Sequence, residues 1–478
     1  MPENNARATN WRWVICSLLF FATTINYLDR QVLSLTWKDF IAPEFHWTDS
    51  DYGDITGFFS LFYAAVSLFA GKLIDKLGSR KGYLWAIFVW SLAACMHAGC
   101  GWLTMHITGV ESVEALYAVK SGSAAAMAVA SISVWLFLGC RALLALGEAG
   151  NFPAAIKVTA LYFPKKDRAF ATALFNSGAS IGALVAPLCI PLLARLWGWE
   201  MAFVIIGALG FVWMGFWEWL YAAPEDSRHV NARELAYIRQ DEAGESEQQI
   251  EAEEHDSIPF WRCFTFRQTW AFITGKALTD GVWWFFLFWI PAYISDVYGL
   301  PSDSGTAQML IFVLYAITML SIYGGKLPTI IMNRTGRNPY SARMRAMFIF
   351  ALFPLLAIFA QPLGVYSYWY PVIIIGLCGA AHQSWSANIY TVVSDMFPKS
   401  TVGSIIGIGG MAAGLSSFLI NLISGRLFDY AAATEMQFMG FTGKPAGYFI
   451  IFCFCGVAYL LGWCVMKILV PRYKIIKA

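Results

Sequence analysis

Pro224–Pro259 reads PEDSRHVNARELAYIRQDEAGESEQQIEAEEHDSIP, a run of charges with almost no bulky apolar side chain. Such a run buries too little apolar surface to offset the entropy of ordering it, so it reads as a linker. One short surface helix is predicted inside it, over 231–241. Its surroundings are the reverse. Of 478 residues, 58 % are hydrophobic and only 13 % charged, where a soluble protein carries about 25 % charged residues. Twelve apolar stretches of about the length needed to cross a bilayer are predicted over 13–35, 52–74, 82–104, 130–154, 169–193, 200–222, 269–294, 306–328, 344–363, 366–394, 401–424 and 446–469. The polar run divides them six and six. The expectation is an all-α polytopic membrane protein with twelve transmembrane helices in two six-helix bundles. Residues 1–222 form the first bundle, 223–265 a cytoplasmic polar linker and 266–478 the second bundle.

Other classes are excluded early. A net charge of +2 with no basic domain argues against nucleic-acid binding. Most of the ten cysteines stand singly in apolar runs, where Cys behaves as a small hydrophobe rather than part of a disulfide framework. Cys453 and Cys455 lack a His partner, so no metal site is expected. The N-terminus is polar through Arg12 and does not read as a cleavable signal.

Lys and Arg set the expected orientation. They crowd the N-terminus, the 2–3, 4–5 and 8–9 loops (Lys72, Arg80, Lys165, Arg168, Arg334, Arg345) and the C-terminus (Arg472, Lys474). The alternate loops hold few, and the first of those is acidic (Asp39, Glu44, Asp49, Asp51). Both termini are expected in the cytoplasm of a bacterium, with the chain multi-pass in the inner membrane and working as a monomer.

The halves repeat each other. Tyr162-Phe163-Pro164-Lys165 after span 4 returns as Met396-Phe397-Pro398-Lys399 after span 10, and each precedes a helix rich in Gly, Ala and Ser. Small residues let helices approach closely in lipid. Aligning the motifs sets Glu148 opposite His382. Repeated halves with a site between them are the organisation of a secondary transporter.

Between spans 2 and 3 the chain reads Gly71-Lys-Leu-Ile-Asp75-Lys-Leu-Gly78-Ser-Arg80-Lys81. This resembles the loop signature of the major facilitator superfamily, in which the acid and the basic residues lock the cytoplasmic gate. The resemblance implies that Gly71, Asp75, Gly78, Arg80 and Lys81 form that gate, with Asp75 facing the helix start near Thr401. Within the superfamily the chain is most similar to the anion:cation symporters, bacterial hexuronate transporters in particular. The likeness lies in Asn26-Tyr27-Leu28-Asp29-Arg30, in Arg141 to Pro153 with Gly147-Glu148-Ala149-Gly150, in Gly275 to Phe285 with Lys276 and Asp280, and in His382-Gln383-Ser384-Trp385-Ser386-Ala387-Asn388. Two departures stand out. Ala179 occupies the place where related galactonate carriers have Gln, and Gly281 the place where hexuronate carriers have Pro.

Six ionisable residues fall at membrane depth: Asp29, Arg30, Arg141, Glu148, Lys276 and Asp280. Each costs about 2.5–3.5 kcal/mol to insert, which makes function the default reading. A plain ion pair is the competing one, above all for Lys276 and Asp280, four apart on one helix face. Three acids balance three bases. A carboxylate substrate would leave one negative charge uncompensated, and protonating an acid would restore the balance; burial favours the protonated form. The resemblance implies Glu148 and Asp29 as proton-coupling groups and Arg30 as the carboxylate clamp, a role suited to its planar fork. Sugar hydroxyls and the ring face could meet Tyr27, Tyr63, Asn176, Trp284, His382, Gln383, Trp385 and Asn388, with Arg141, Lys276 and Asp280 in the same site. Packing between helices is the alternative for each Trp, and a hydrogen-bonded core place for His382.

The expected function is uptake of a sugar-acid anion, a hexuronate such as glucuronate or galacturonate, by proton symport with alternating access. No cofactor is implied besides the coupling proton, and the partners are the substrate, protons and membrane lipid. An exchanger of organic anions or phosphate esters is the alternative, kept open by Arg141. A membrane enzyme or receptor is further off, because no catalytic constellation is visible.

Overall fold

The computed structural model describes residues 8–240, 258–324, 326–336, 338–474 and 476. It is a bundle of twelve spans: α1 (Trp11–Thr36), α2 (Asp49–Leu77), α3 (Ser79–His97, continued by Gly99–Thr108), α4 (Ala124–Glu148, continued by Asn151–Tyr162), α5 (Lys165–Trp197), α6 (Trp199–Leu220), α7 (Arg267–Tyr298), α8 (Gly305–Thr318, continued to Thr335 by short pieces), α9 (Pro339–Leu352, continued to Gly364), α10 (Trp369–Met396), α11 (Lys399–Ala433) and α12 (Lys444–Leu469). Eight of these are long and apolar enough to cross a membrane alone, and the bent α3 pair makes a ninth. The remaining three are α1, α8 and α10. Two of them, α1 and α10, carry the polar residues of the candidate site, and α8 is broken into pieces. The helices outrun the predicted apolar stretches, so that α4 covers 124–162 rather than 130–154, because a helix continues past the hydrocarbon wherever its backbone remains satisfied.

The repeat seen in the sequence is a repeat of helix starts. Pro164 and Pro398 are the N-cap residues of α5 and α11, extended in backbone just before Lys165 and Lys399. Small residues then bring backbones together. In α5, a side chain at Gly182 would fall 2.6 Å from the Thr24 carbonyl of α1. Across the halves, one at Gly53 of α2 would fall 2.6 Å from the Asn421 carbonyl of α11. The two halves meet along α2–α11, α5–α8 and α1–α7.

The linker is less detached than its composition suggests. Its predicted helix is present as Ala232–Ile238, but Glu234 is fully buried. Its carboxylate accepts the backbone N–H groups of Trp11 and Arg12, both at 3.1 Å, and pairs with the Arg12 guanidinium at 3.0 Å. The first turn of a helix has unpartnered N–H groups and favours an anion, so the linker caps α1. Residues 241–257 lie outside the described residues.

The described stretches before α1 and after α12 lie on the linker's face: Thr9 bonds to Asn231 and Glu234, Ile258 to Thr401, and Ile476 to the Met396 carbonyl. The opposite face is held shut by charges from both halves. Lys38 pairs with Asp49 at 3.0 Å and with Asp296 at 2.9 Å, and Lys444 pairs with the same two acids. Asp429 of α11 accepts the N–H groups of Asp49 (3.0 Å) and Ser50 (2.8 Å), capping α2 from the other half. Replacing both Lys38 and Lys444 by Met leaves Asp49 and Asp296 confronting each other. The expected result is an opening of this face by about tenfold in population, or ~1.4 kcal/mol. Spin labels at exposed Lys120 and Thr434 should show the longer distance; an unchanged distribution would mean that aromatic packing alone closes the face.

Candidate functional site

Arg30 is the centre of the site. α1 carries it to the boundary between the halves, where it is 3 % exposed. Its Nε and Nη2 both donate to Oε2 of Glu148 on α4, at 3.0 and 2.5 Å. Aromatic faces enclose the guanidinium: Tyr63 at 4.9 Å, Trp284 at 5.1 Å, Tyr27 at 5.2 Å and Phe59 at 6.0 Å. Trp284 comes from α7, so the cage closes only when the halves meet. A planar cation between rings, fixed at two nitrogens, is a ready-made receptor for a carboxylate.

Asp29, its neighbour in sequence, points elsewhere. It is buried in the N-terminal half within electrostatic reach of Glu148, Arg141 and Arg30. Among the described residues neither of its oxygens has a hydrogen-bond partner. Arg141 belongs to the same half, 5.3 Å over the Phe59 ring that Arg30 also faces. Adjacent residues on a helix project about 100° apart, which is why one faces the boundary between the halves and the other the interior of its bundle.

A second cluster belongs to the other half. Lys276 and Asp280 form the intrahelical pair that their spacing allows, at 2.5 Å, and Lys276 stands 4.5 Å over Tyr390. His382 bonds to the Tyr459 hydroxyl at 2.7 Å and stacks on Trp283 at 5.1 Å. Tyr459 donates in turn to the Thr279 carbonyl. Trp283 is thus core packing, whereas Trp284, one residue on, reaches Arg30.

The structure therefore joins Tyr27, Asp29, Arg30, Tyr63, Arg141, Glu148 and Trp284 in one cluster, and Lys276, Asp280 and His382 in another. Trp385 is fully buried with its ring edge on Tyr459, and Asn388 donates to the Ser384 carbonyl, both inside the C-terminal half. Gln383 is half-buried beside them. Asn176 is exposed on α5, and no described contact joins it to Arg30. Phe59, Tyr390 and Tyr459 escaped sequence reading. Phe59 had a signal, one helical turn before Tyr63; Tyr459 sits in a plain apolar span and had none.

At the presumed gate, Arg80 is committed to Glu218 of its own half, with its guanidinium 2.6 Å from the carboxylate. Both are largely exposed, so the pair contributes little. Lys81 is exposed, and space is open around Gly71. Gly78 has φ +79°, the left-handed turn between α2 and α3 that a side chain would strain. The Asp75 side chain lies outside the described residues. The Thr401 hydroxyl, its expected counterpart, accepts the N–H of Ile258 at the end of the linker. Gly281 lets α11 approach α7, since a side chain there would strike Ser416.

Glu44 was read only as one acid of the first external loop. It follows α1 in the short helix Ala42–Phe45, buried, with Oε2 accepting from Trp199 Nε1 at 2.8 Å. Burial, opposed by that bond, pushes its carboxyl up to about 7. Between the ordinary 4.5 and 7 the unfolded chain loses the proton and the folded chain keeps it. Stability should therefore fall as pH rises through that window, by roughly 3 kcal/mol at ~1.4 kcal/mol per unit. Melting temperatures from pH 4 to 8 should be flatter for Glu44→Gln; parallel curves would refute this.

Two six-helix halves enclosing buried charges at their boundary define a secondary transporter. The chain belongs to the Major Facilitator Superfamily, which it matches over residues 19–421. It is similar to the "Hexuronate transporter" of Escherichia coli (strain K12), 29 % identical over 425 residues covering 87 % of this chain and 88 % of that protein. It is also similar to the "Galacturonate transporter" of Dickeya chrysanthemi, at 25 % identity with 77 % of this chain and 95 % of that one covered. Among solved structures, a D-xylose-proton symporter superposes with a TM-score of 0.68 at 14 % identity, covering 98 % of this chain and all (100 %) of that one. A bacterial homologue of the human lysosomal transporter Spinster, inward-facing and occupied, gives 0.66 at 18 %, covering 97 % of each chain. At such identities the structural likeness is one of fold.

Proposed function

We propose that this transporter imports a sugar-acid monoanion, a hexuronate such as glucuronate or galacturonate, by proton symport with alternating access. The observation that carries the reading is the double bond of Arg30 to one oxygen of Glu148 inside an aromatic cage shared by both halves. Glu148 occupies the guanidinium edge that a substrate carboxylate needs. Protonation of Glu148 weakens its hold and frees Arg30, so proton and substrate bind together. When both leave, Glu148 takes Arg30 back and the empty carrier resets. Tyr27, Tyr63 and Trp284 offer ring faces and hydroxyls to the sugar. The names of the two relatives support the substrate class. The opposite face, with its Lys38–Asp296 closure, is then periplasmic and the face of the termini cytoplasmic, in a bacterial inner membrane, with the single chain as the working unit.

A phosphate-ester exchanger would need Arg141 beside Arg30, and both guanidiniums do lie against the Phe59 ring, at 5.3 and 6.0 Å; the names of the two relatives, both uronate carriers, favour the monoanion. The test is reconstitution in liposomes. Glucuronate and galacturonate should accumulate under an inwardly directed proton gradient and acidify the lumen. Accumulation unaffected by collapsing that gradient would reject the reading.

A further inference from the structure

Resting on that reading, we propose that the N-terminal half contains a water-filled proton route from the periplasmic face through Asp29, and that His97 and Arg141 position its water. The evidence is a seam of buried polar atoms without partners. Among the described residues these are both side-chain polar atoms of Asn26, both oxygens of Asp29, Nε2 of His97, Nε of Arg141 and Oε1 of Glu148. All five side chains are at least 97 % buried, none being more than 3 % exposed. Buried polar groups are nearly always satisfied, and water fills the role where protein atoms do not.

The unpaired atoms are complementary. His97 Nδ1 lies 2.8 Å from the Ala93 carbonyl, which can only accept, so the proton is on Nδ1 and Nε2 is a bare acceptor. Arg141 Nε–H is a donor without an acceptor. Water between them satisfies both, and water between Arg141 and Asp29 continues the path. Phe137 sets the order along the bundle: it is one turn from Arg141 on the periplasmic side, and its ring lies 5.5 Å from His97. His97 also ends the first part of α3, at the 49° bend before Gly99. The charged and titratable groups facing it are Arg141 and, beyond Arg141, Asp29, Glu148, Tyr52 and Arg30. From α6 the Phe203 ring stacks on it at 4.7 Å. Glu44, bonded to Trp199, stands on the outer side of the same aromatic group, with half-exposed Glu200 beside it.

The transfer is simple. A hydronium at the outer end gives up a proton, each water passes one on, and Asp29 relays it to Oε1 of Glu148, where the O–H bond that frees Arg30 forms. The seam meets the proposed substrate site at Glu148, whose other oxygen holds Arg30. His97 is thus a positioning residue: it orders water and remains neutral.

His97→Phe tests the route, since it keeps the stack on Phe203 and removes the acceptor. In liposomes, [14C]-labelled glucuronate counterflow should stay within twofold, while uphill uptake and lumen acidification fall at least tenfold. His97→Gln, which restores an acceptor, should recover most of the loss. Native uphill uptake by His97→Phe, or equal loss of counterflow and uptake at an unchanged melting temperature, overturns the route. If His97→Phe does not fold, His97→Leu, which also lacks the acceptor, takes its place and is read by the same criteria. Asp29→Asn and Glu148→Gln run beside it. If both accumulate glucuronate normally, proton symport itself fails; if either loses accumulation while His97→Phe keeps it, only the route fails.

Discussion

Glu148→Gln is expected to exchange external for internal glucuronate at near-native rate and to lose uphill uptake entirely. The amide mimics the protonated acid, so Arg30 is released from its 2.5 Å bond and is permanently free for substrate. Both half-steps of exchange use the loaded carrier and need no deprotonation. Net uptake requires the empty carrier to return, and without the Glu148 carboxylate Arg30 has no internal anion to neutralise it on the way. If Glu148 instead merely anchors Arg30, removing one member of a buried pair strands the other and costs about 3–5 kcal/mol. Stability, binding and exchange should then fall together. Counterflow, uphill uptake and melting temperature, measured on one preparation, separate the outcomes. Asp29→Asn is the comparison. If it alone shows exchange without accumulation, the coupling proton belongs to Asp29.

Arg30→Lys is expected to lose at least 100-fold in uptake although the charge is kept, equivalent to ~2.7 kcal/mol at 1.4 kcal/mol per tenfold. The cage is flat. Rings from Tyr27, Tyr63 and Trp284 lie about the guanidinium within 5.2 Å, and two of its nitrogens engage a single oxygen. A lysine ammonium is a compact, strongly hydrated point charge that neither fills this slot nor binds two oxygens at once. Arg30→Ala should abolish thermal stabilisation by glucuronate as well. Near-native uptake by the Lys variant would make Arg30 a counter-ion for Glu148 alone, and the carboxylate would have to be sought at Lys276.

Span number and the six-and-six division were legible in the sequence because a bilayer leaves the backbone little choice. Every N–H and C=O must be satisfied within the segment, so a run of apolar residues of sufficient length is a helix. That holds for α2, α5 or α12 from composition alone. It does not hold for α1 and α10, which fall short of that apolarity and whose charges and amides mark them as interior. The linker was legible as polar, and its short helix with it. The cost of charge in lipid also picked out the six acids and bases of the two clusters, though not His97, and a four-residue spacing on one helix named the Lys276–Asp280 pair.

Pairing across helices was a different matter. Nothing in the chain joins Arg30 to Glu148, 118 positions away, rather than Arg141 to Glu148, since that depends on how α1 rotates against α4. The same rotation turns Asp29 inward and Arg30 to the boundary. On α7 it sends Trp283 to His382 and Trp284 to Arg30, two neighbours with identical side chains and different fates. Docking of Glu234 on the start of α1 is likewise a contact between distant segments that no local pattern announces. Local hydrogen bonding and transfer free energy write the helices into the sequence. Which face of each helix meets which neighbour is settled by the packing of all twelve at once, and the clamp, its cage and the unpaired seam behind it exist only at that level.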